Sequence, residues 1–454
     1  MTLDQEHWAG RLAALAEKHG VPGANLAIMS GDEVVCASYG VLNVRTGVET
    51  TTDSLFQIGS ITKVWTATLI MQLVDEGLLD LDQPIITYLP EFKVADESVS
   101  KQVTARHLLS HTSGIDGDFF LDTGRGDDCI EKYVAACADL KQTHPLGATM
   151  SYCNSGFSIL GRLVEVLRGQ PFDQVLRERL FVPLGITSAC TIADHAILHR
   201  AAVGHVGADE PQVVPVWALP RSTVPAGAIN AAAADVLKFA KLHLDGGVAA
   251  DGTRVLSVES VRAMLEPQVE VPDPYVLGTH WGLGWILMEW DGHRLCGHDG
   301  GTLGQGAMLR ICPDAGVAAC LTGNGGRLRD LYFDLFKEIF GEVADVQMQP
   351  QLEPPATPPQ LDLHRYAGRF VREGLELSIE AKEDRLAVTT IATGTLAAAM
   401  QGQQQPPFEA FPVKEDVFAI QRPGNESWEA LVFYRLEDGT EYVHTGGRAN
   451  PRVA

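Results

Sequence analysis

Phe56-Gln57-Ile58-Gly59-Ser60-Ile61-Thr62-Lys63, followed by a long apolar run over residues 64–79, is the stretch that decides the fold of this chain. Ser60 and Lys63 lie three residues apart at the predicted start of a helix, where residues at i and i+3 share one face. A lysine held largely neutral can take the proton of a serine hydroxyl, which is otherwise a poor nucleophile at neutral pH. The helix N-terminus favours a developing oxyanion, and we expect Gly59 to let an acyl group approach the backbone. Taken alone, an N-capped helix with a surface lysine explains the same residues.

A second polar motif, Ser151-Tyr152-Cys153-Asn154-Ser155, stands just before an amphipathic helix predicted over 156–167. A tyrosine whose pKa is lowered by a nearby ammonium group can pass a proton between a nucleophile and a leaving group. An asparagine amide can donate to the carbonyl of an acyl substrate and can also hold Lys63 in place. The alternative is a buried tyrosine next to an asparagine in a turn.

Two further stretches complete the pattern, and with them the chain resembles a known family. They are His107-Leu108-Leu109-Ser110-His111-Thr112-Ser113-Gly114 and Leu295-Cys296-Gly297-His298-Asp299-Gly300-Gly301. Together with the Ser60 and Tyr152 motifs, they are similar to those of the class C β-lactamase and penicillin-binding-protein superfamily of serine hydrolases. The resemblance covers roughly residues 10–340. It implies an α+β sandwich, a serine β-lactamase/transpeptidase-like fold in which helices flank an antiparallel sheet.

The same resemblance assigns roles to the third motif. His298 would replace the lysine of the family's Lys-Thr-Gly strand, lie beside Tyr152 and help to set its protonation. The backbone N–H groups of Ser60 and Gly301 would form the oxyanion hole. Substrate binding is predicted for Asp299 and Gly300. Asp299 is either a carboxylate that steers an ammonium group, such as a peptide N-terminus, or a solvated aspartate in a turn.

The pair His107 and His111, at i and i+4 in a stretch over 103–114 that is predicted as a helix ending in a polar turn, also has the spacing of two metal ligands. No third ligand is evident in the sequence, and hydrogen-bonded structural histidines are the favoured interpretation. The family resemblance implies no cofactor, and we predict neither a metal site nor a cofactor. It also places the loop over 225–230 near the substrate cleft, where small residues would give a small-walled pocket.

Composition and charge narrow the classes of partner. The 454 residues include 58 acidic and 35 basic side chains, for a formal net charge of −23. Nucleic acid and anionic membrane surfaces are therefore unfavourable partners. The eight cysteines lack Cys-x-x-Cys spacing, and there is no basic, apolar leader at the N-terminus and no apolar run long enough to span a bilayer. We expect a cytoplasmic protein with reduced thiols.

The sequence predicts two domains joined by a linker: a catalytic domain over 1–345, a proline-rich linker over 346–360 and a barrel over 361–454. Short β-rich runs fill the last segment, with turns between them. They are predicted over 375–379, 385–391, 395–400, 408–413, 417–420, 430–434 and 442–445. This segment resembles the lipocalin-like C-terminal domain that is fused to several members of the superfamily.

This layout is similar to that of the penicillin-binding-protein-type thioesterases, which are stand-alone cyclases of nonribosomal peptides. The resemblance implies that Ser60 takes a peptide with a C-terminal D-residue from a carrier-protein thioester, or from a small-molecule mimic, and releases it head to tail. Arg448 in the barrel either binds a peptide carbonyl over the cleft or is a surface arginine. The sequence does not specify the oligomeric state of the protein.

Other functions stay open. A D-stereospecific peptidase or amidase and a carboxylesterase share this fold and use water as the second nucleophile. The absence of an export signal disfavours a peptidoglycan transpeptidase or a secreted β-lactamase. The β-lactamase is also disfavoured because His298 replaces the lysine of Lys-Thr-Gly, which helps to bind the β-lactam carboxylate. A non-catalytic binding protein is disfavoured by the intact set of Ser60, Lys63, Tyr152 and Asn154.

Overall fold

The computed structural model describes residues 3–217, 219–394, 397, 406–422 and 424–453. Its helices are α1 (Gln5–Lys18), α2 (Thr62–Asp75), α3 (Glu97–Gln102), α4 (Ala105–Leu109), α5 (Cys129–Ala136), α6 (Asn154–Arg168), α7 (Phe172–Leu176), α8 (Ala193–Ala196), α9 (Val224–Gly227), α10 (Ala233–Leu244), α11 (Val258–Met264) and α12 (Leu328–Ala344). A 3₁₀ turn, Gly59–Ile61, precedes α2.

Strands form a central sheet, two small ribbons and a barrel. They are β1 (Gly23–Ser30), β2 (Glu33–Asn43), β3 (Val48–Glu49), β4 (Phe56–Gln57), β5 (His205–Val206), β6 (Gln212–Val213), β7 (Asn230–Ala231), β8 (Val269–Glu270), β9 (His280–Trp281), β10 (Ile286–Trp290), β11 (His293–Thr302), β12 (Gln305–Cys312), β13 (Val317–Gly323), β14 (Gly368–Arg372), β15 (Leu375–Ala381), β16 (Leu386–Ala392), β17 (Phe408–Lys414), β18 (Val417–Gln421), β19 (Trp428–Arg435), β20 (Glu441–Thr445) and β21 (Arg448–Val453).

The central sheet has the order β3-β2-β1-β13-β12-β11-β10-β9-β8, and its neighbouring strands pair antiparallel. Side chains alternate between the two faces of a strand. In β1, Leu26 and Ile28 therefore pack with α1 and α12, whereas Ala27 and Met29 pack with α2, α6 and α10 on the other face. Helices cover both faces of an antiparallel sheet, which confirms the α+β sandwich predicted from the motifs.

Helix α2 is buried on every side, which explains why its sequence is apolar without a polar stripe. Trp65 stacks on Phe239 of α10 with ring centroids 4.0 Å apart. Lys63 is fully buried at the N-terminal end of the same helix. The surface-lysine alternative for this residue is therefore wrong.

One local prediction on the catalytic part is confirmed only in part. The helix predicted over 103–114, with a polar turn at its end, is the short helix α4: the chain turns already after Leu109, and His111 takes a left-handed backbone conformation with φ of 57°. Upstream of Ser60, residues 40–52 contain the end of β2 and strand β3.

The C-terminal part is a closed eight-stranded barrel, β14 to β21 in sequence order. Its interior is filled by buried apolar side chains, including Phe370, Leu386, Phe418 and Leu431. Strand β21 was not predicted, and the strand predicted over 395–400 falls in a segment of which only residue 397 is described. Within the described part of the chain, no helix is long and apolar enough to cross a membrane.

The barrel contacts the catalytic part next to the Tyr152 motif. The backbone N–H of Tyr152 donates to the carbonyl of Gly447 at 2.9 Å, and the N–H of Ala449 donates to the Ser151 hydroxyl at 3.2 Å. Since Gly447 and Ala449 flank the start of β21, the turn between β20 and β21 forms part of the wall around this motif.

Candidate active site

The Lys63 amine lies at the centre of a group of acceptors. Its Nζ is 3.0 Å from Ser60 Oγ, 2.8 Å from Asn154 Oδ1 and 2.6 Å from the carbonyl oxygen of Ala226. An amide oxygen and a backbone carbonyl can only accept hydrogen bonds. A neutral amine has two N–H donors, and these two acceptors use both of them. The remaining lone pair then points to Ser60, as a general base requires.

The surroundings of Lys63 favour the neutral form of this amine. Complete burial, together with the positive charge of Arg448, lowers the pKa of Lys63 well below its ordinary value, although Asp118 opposes the shift. This lowered pKa makes Lys63 a better proton acceptor for the Ser60 hydroxyl than an exposed lysine would be. This arrangement brings together Ser60, Lys63 and Asn154 as the sequence predicted.

Tyr152 lies in the same site but in a different electrostatic state from the predicted one. Burial raises its pKa above the ordinary value, although the Ser60 hydroxyl and Arg448 oppose the shift. The prediction of a pKa lowered by an adjacent ammonium group was wrong, because burial outweighs the charges around this phenol. The phenolic oxygen lies near the Ser60 hydroxyl, and the ring lies against Lys63, whose Nζ is 4.8 Å from the ring centroid.

The Asn154 amide is held by two partners. Its oxygen accepts from Lys63, and its Nδ2 donates to Asp118 Oδ1 at 3.0 Å. The predicted hold on Lys63 is therefore present. The predicted donation to a substrate carbonyl would have to use the second N–H of the same amide group.

His298 projects from β11 toward the aromatic cluster of the site. Its ring centroid is 6.2 Å from that of Tyr152 and 5.5 Å from that of Trp281. Its Nδ1 lies 2.7 Å from the carbonyl oxygen of Asp299, and since a carbonyl only accepts, Nδ1 carries the proton. Nε2 is then an acceptor, and it has no hydrogen-bond partner among the residues that the structure describes. Burial, with the nearby Lys63, lowers the pKa of His298 to about 3, so the ring is neutral.

The two predicted oxyanion-hole residues meet where β11 runs beside the Ser60 turn. Strand β10 pairs with β11 only as far as Gly297, and the rest of β11 faces the 3₁₀ turn Gly59–Ile61. A Cβ on Gly59 would lie 2.5 Å from the Gly301 nitrogen, and one on Gly300 would lie 3.1 Å from the Ser60 nitrogen. The backbone nitrogens of Ser60 and Gly301 are thus neighbours at the rim of the cleft.

This packing corrects the reason given for Gly59. Its φ is +52° and its α-carbon faces the backbone of β11, so a side chain is excluded by the protein itself and not by an acyl group. Gly300 is equally confined, since a Cβ there would lie 1.8 Å from the Ile58 carbonyl oxygen. Gly301 by contrast has open space at this position.

Asp299 lies in strand β11, so the prediction of a solvated turn aspartate was wrong. It projects to the opposite sheet face from His298 and forms an ion pair with the buried Arg310 of β12. Arg310 in turn lies over the ring of Tyr332 in α12, 4.9 Å from its centroid. An ammonium group of a substrate would have to compete with Arg310 for this carboxylate.

Arg448 reaches the cleft from the barrel, and the surface-arginine alternative was wrong. Its Nε and Nη2 donate to the two oxygens of Asp118 at 3.1 and 3.0 Å, and its Cζ lies 4.9 Å from the centroid of the Tyr152 ring. Arg372 Nη1 is 2.8 Å from the same carboxylate. Both Asp118 and Arg372 escaped the sequence analysis. The only local signal was a pair of carboxylates, Asp116 and Asp118, directly after a buried turn.

His107 and His111 have separate structural partners. His107 completes a capping box with Thr104 at the start of α4. His111 accepts from the backbone N–H of Cys153 at 3.0 Å and packs against Tyr152 in a tilted arrangement, with ring centroids 4.3 Å apart and an interplanar angle of 32°. Among the residues that the structure describes, no cluster of three or more His, Cys, Asp or Glu could hold a metal ion.

The catalytic groups open into one cleft of about 410 Å³. Its walls include the apolar side chains of Phe120, Leu219, Leu277, Trp281 and Ile286 together with Ala226 and Gly227 of α9. Gly446 and Arg448 of the barrel line it as well. A cleft of this size and polarity suits a small number of apolar residues around one reacting carbonyl.

Comparison with known proteins agrees with this geometry. The family model described as β-lactamase matches residues 8–334. Penicillin-binding protein 4 of Amycolatopsis lactamdurans is 49% identical over 378 residues, which cover 82% of this chain and 99% of that protein. A D-aminopeptidase of Brucella anthropi is 29% identical over 303 residues, covering 64% of this chain and 54% of that protein.

Among solved structures, SurE resembles the chain over its whole length. The TM-score is 0.76 with 27% sequence identity, and 99% of each chain is covered. A second crystal structure of SurE contains D-Leu and superposes with a TM-score of 0.75. The similarity therefore includes both the catalytic part and the barrel.

Proposed function

Because this chain belongs to the β-lactamase family of serine hydrolases, we propose that it is an acyltransferase that cyclises peptides. Its substrate is a linear nonribosomal peptide with a C-terminal D-residue, presented as a thioester on a carrier protein. The N-terminal amine of the same peptide releases the acyl group from Ser60 as a head-to-tail macrolactam. We place this reaction in the cytoplasm, where free thiols such as the eight cysteines stay reduced.

The proposed reaction begins when Lys63 accepts the proton of the Ser60 hydroxyl. Lys63 takes the hydroxyl proton while Ser60 Oγ bonds to the thioester carbon, and the oxyanion is held by the backbone N–H groups of Ser60 and Gly301. The C–S bond breaks and the thiol leaves with a proton. The peptide amine then attacks the ester carbon and gives up a proton, and Ser60 regains one as the C–O bond breaks. Tyr152 and the Nε2 acceptor of His298 are the groups next to these transfers.

One observation carries the choice of a peptide substrate: the barrel supplies Arg448 to the catalytic cleft. Three of its five N–H donors bond to Asp118 and the Gly446 carbonyl, which leaves two for a ligand. A guanidinium beside the reacting carbonyl suits the backbone carbonyls of a folded peptide. The likeness to SurE over both parts, and the D-Leu in one SurE structure, support a D-residue next to the scissile bond.

Hydrolysis is the second candidate, and the D-aminopeptidase relative favours it. In that case water discharges the acyl-enzyme of a D-peptide or amide. The carboxylesterase alternative has no comparable support among these relatives. Penicillin acylation is the corresponding expectation from the penicillin-binding protein of Amycolatopsis lactamdurans, and it would use the same Ser60.

The test is incubation with a linear peptide N-acetylcysteamine thioester that ends in a D-residue, with the products measured by mass. We expect a product lighter than the free acid by one water, absent with Ser60→Ala and absent with the L-ended peptide. If the wild-type protein yields only the free acid, the proposed cyclisation is wrong and hydrolysis becomes the assigned reaction. Turnover by Ser60→Ala would contradict the acyl-enzyme itself.

A further inference from the structure

We propose that Asp118 is a positioning residue for acylation: it fixes the orientation of the Asn154 amide and thereby aims the lone pair of Lys63 at Ser60. The inference deepens the proposed function and rests on its acyl-enzyme step, but not on the choice between cyclisation and hydrolysis. Asp118 is 5% exposed and belongs to none of the sequence motifs.

The argument begins with the two ends of the Asn154 amide, which have nearly the same shape but opposite hydrogen-bonding character. If Nδ2 faced Lys63, the amine would meet a donor, and one of its N–H groups would turn toward Ser60 in place of the lone pair. Asp118 prevents this, because a carboxylate can only accept and its Oδ1 lies 3.0 Å from Asn154 Nδ2. The amide oxygen must then face Lys63, as observed at 2.8 Å.

Asp118 can do this only while it stays ionised, and the barrel ensures that it does. Burial works against the carboxylate, but Arg448 and Arg372 more than offset it and lower the pKa of Asp118 to about 2. The two guanidinium groups approach it from β21 and β14, at 3.0 Å and 2.8 Å. An isolated catalytic part would therefore lack both cationic partners of this carboxylate.

The charge of Asp118 also acts on Lys63, in the opposite direction to its positioning effect. A negative charge favours the protonated amine and so raises the pKa of Lys63, against the burial and the Arg448 charge that lower it. The other titratable groups facing this amine are Cys153, Tyr152, His111 and His298. Loss of the Asp118 charge should therefore lower the pKa of Lys63 while disturbing its orientation.

The two effects of Asp118 on Lys63 predict the direction of each change in the experiment. The rate of Ser60 labelling by a fluorescent fluorophosphonate is measured against pH for the full-length wild type and for Asp118→Asn. We expect the plateau rate to fall about tenfold, as for loss of one charge-assisted hydrogen bond, and the acid limb to move to lower pH. A variant that was merely loosened would lose plateau rate without that movement of the limb.

A double-mutant cycle tests whether Asp118 acts through Asn154. Asp118→Asn in an Asn154→Ala background should cost no further labelling rate, because the amide that it orients is gone. The matched control is Asp116→Asn, which removes a neighbouring buried carboxylate that accepts from the Glu373 backbone N–H and lies 4.0 Å from Arg372. This control should label at the wild-type rate.

Three outcomes would overturn the proposal. These are a wild-type rate and limb in Asp118→Asn, additive losses in the double variant, or an equal loss in Asp116→Asn. Thermal unfolding of each variant separates lost rate from lost fold. Labelled wild-type protein that yields only linear acid from the thioester would refute cyclisation and leave Asp118 in its positioning role, so the two failures are distinguishable.

Discussion

Replacing Gly300 by alanine would place a methyl group against the turn that carries the nucleophile. The new Cβ would lie 1.8 Å from the Ile58 carbonyl oxygen, 2.8 Å from its carbon and 3.1 Å from the Ser60 nitrogen. The first contact must lengthen to about 3 Å, so β11 and the turn have to separate by roughly 1 Å. The neighbours are backbone atoms, and no flexible side chain can absorb this shift.

That separation acts on the two backbone N–H groups proposed to hold the oxyanion. Losing one such donor typically costs about 10²- to 10³-fold in rate, and a misplacement of about 1 Å costs a similar factor. We therefore expect Gly300→Ala to slow Ser60 labelling by at least about 100-fold. Overpacking should also lower the free energy of unfolding by about 1–3 kcal/mol.

The assay is the rate of fluorophosphonate labelling, with urea unfolding measured alongside it. Gly297→Ala is the control on the same strand, because its Cβ would lie 2.2 Å from the Leu309 carbonyl oxygen of β12 and away from Ser60. It should lose comparable stability with a much smaller loss of rate. Rapid labelling by a folded Gly300→Ala variant would refute the reasoning that this close approach builds the oxyanion hole.

Three further predictions concern charge. The rate of Ser60 labelling should rise with pH through the lowered pKa of Lys63 and then stay constant, because only the neutral amine accepts a proton. Lys63→Arg should abolish the labelling. A wild-type labelling rate that does not depend on pH would contradict this role of Lys63. Arg448→Ala should lower the unfolding free energy by about 3 kcal/mol in urea titrations, since it breaks a buried ion pair. The same variant should move the acid limb of the labelling profile to higher pH, because a charge that lowers the pKa of Lys63 is gone. Burial raises the pKa of Asp116 from 3.8 to about 6, so the folded state binds the Asp116 proton more tightly than the unfolded state does. The free energy of unfolding of the wild type should therefore fall as the pH rises from 3.8 to about 6, by at most about 3 kcal/mol. Asp116→Asn should remove this loss, and equal pH dependence of the two proteins in urea unfolding would count against it.

The sequence predicted those parts of the site that depend on local spacing. Ser60 and Lys63 are one helical turn apart, so their meeting needs no tertiary information. The Tyr152 and His298 motifs were recognisable by resemblance, although their contacts with Ser60 are long-range. The fold class followed from the same motifs, and it is confirmed by the sheet order and by the helices on both of its faces.

What the sequence could not supply were the partners that depend on the fold alone. Asp118 and Arg448 are 330 residues apart, and nothing near either of them signals the ion pair. The pKa of Tyr152 was predicted in the wrong direction because burial, which outweighs the charges around it, cannot be read from its neighbours in sequence. The role of Gly59 was misassigned for the same reason, since the group that approaches it is strand β11.

Through these long-range contacts the barrel forms part of the candidate site. Besides burial, the charge of Arg448 lowers the pKa of Lys63, and with Arg372 Arg448 lowers the pKa of Asp118 to about 2. The turn before β21 also accepts the backbone N–H of Tyr152. A shift of the barrel would therefore raise the pKa of the base, release the carboxylate that orients Asn154 and free the backbone of the Tyr152 motif together. We therefore expect docking of the barrel and acylation of Ser60 to be energetically coupled, so that a substrate that contacts Arg448 would favour the docked arrangement.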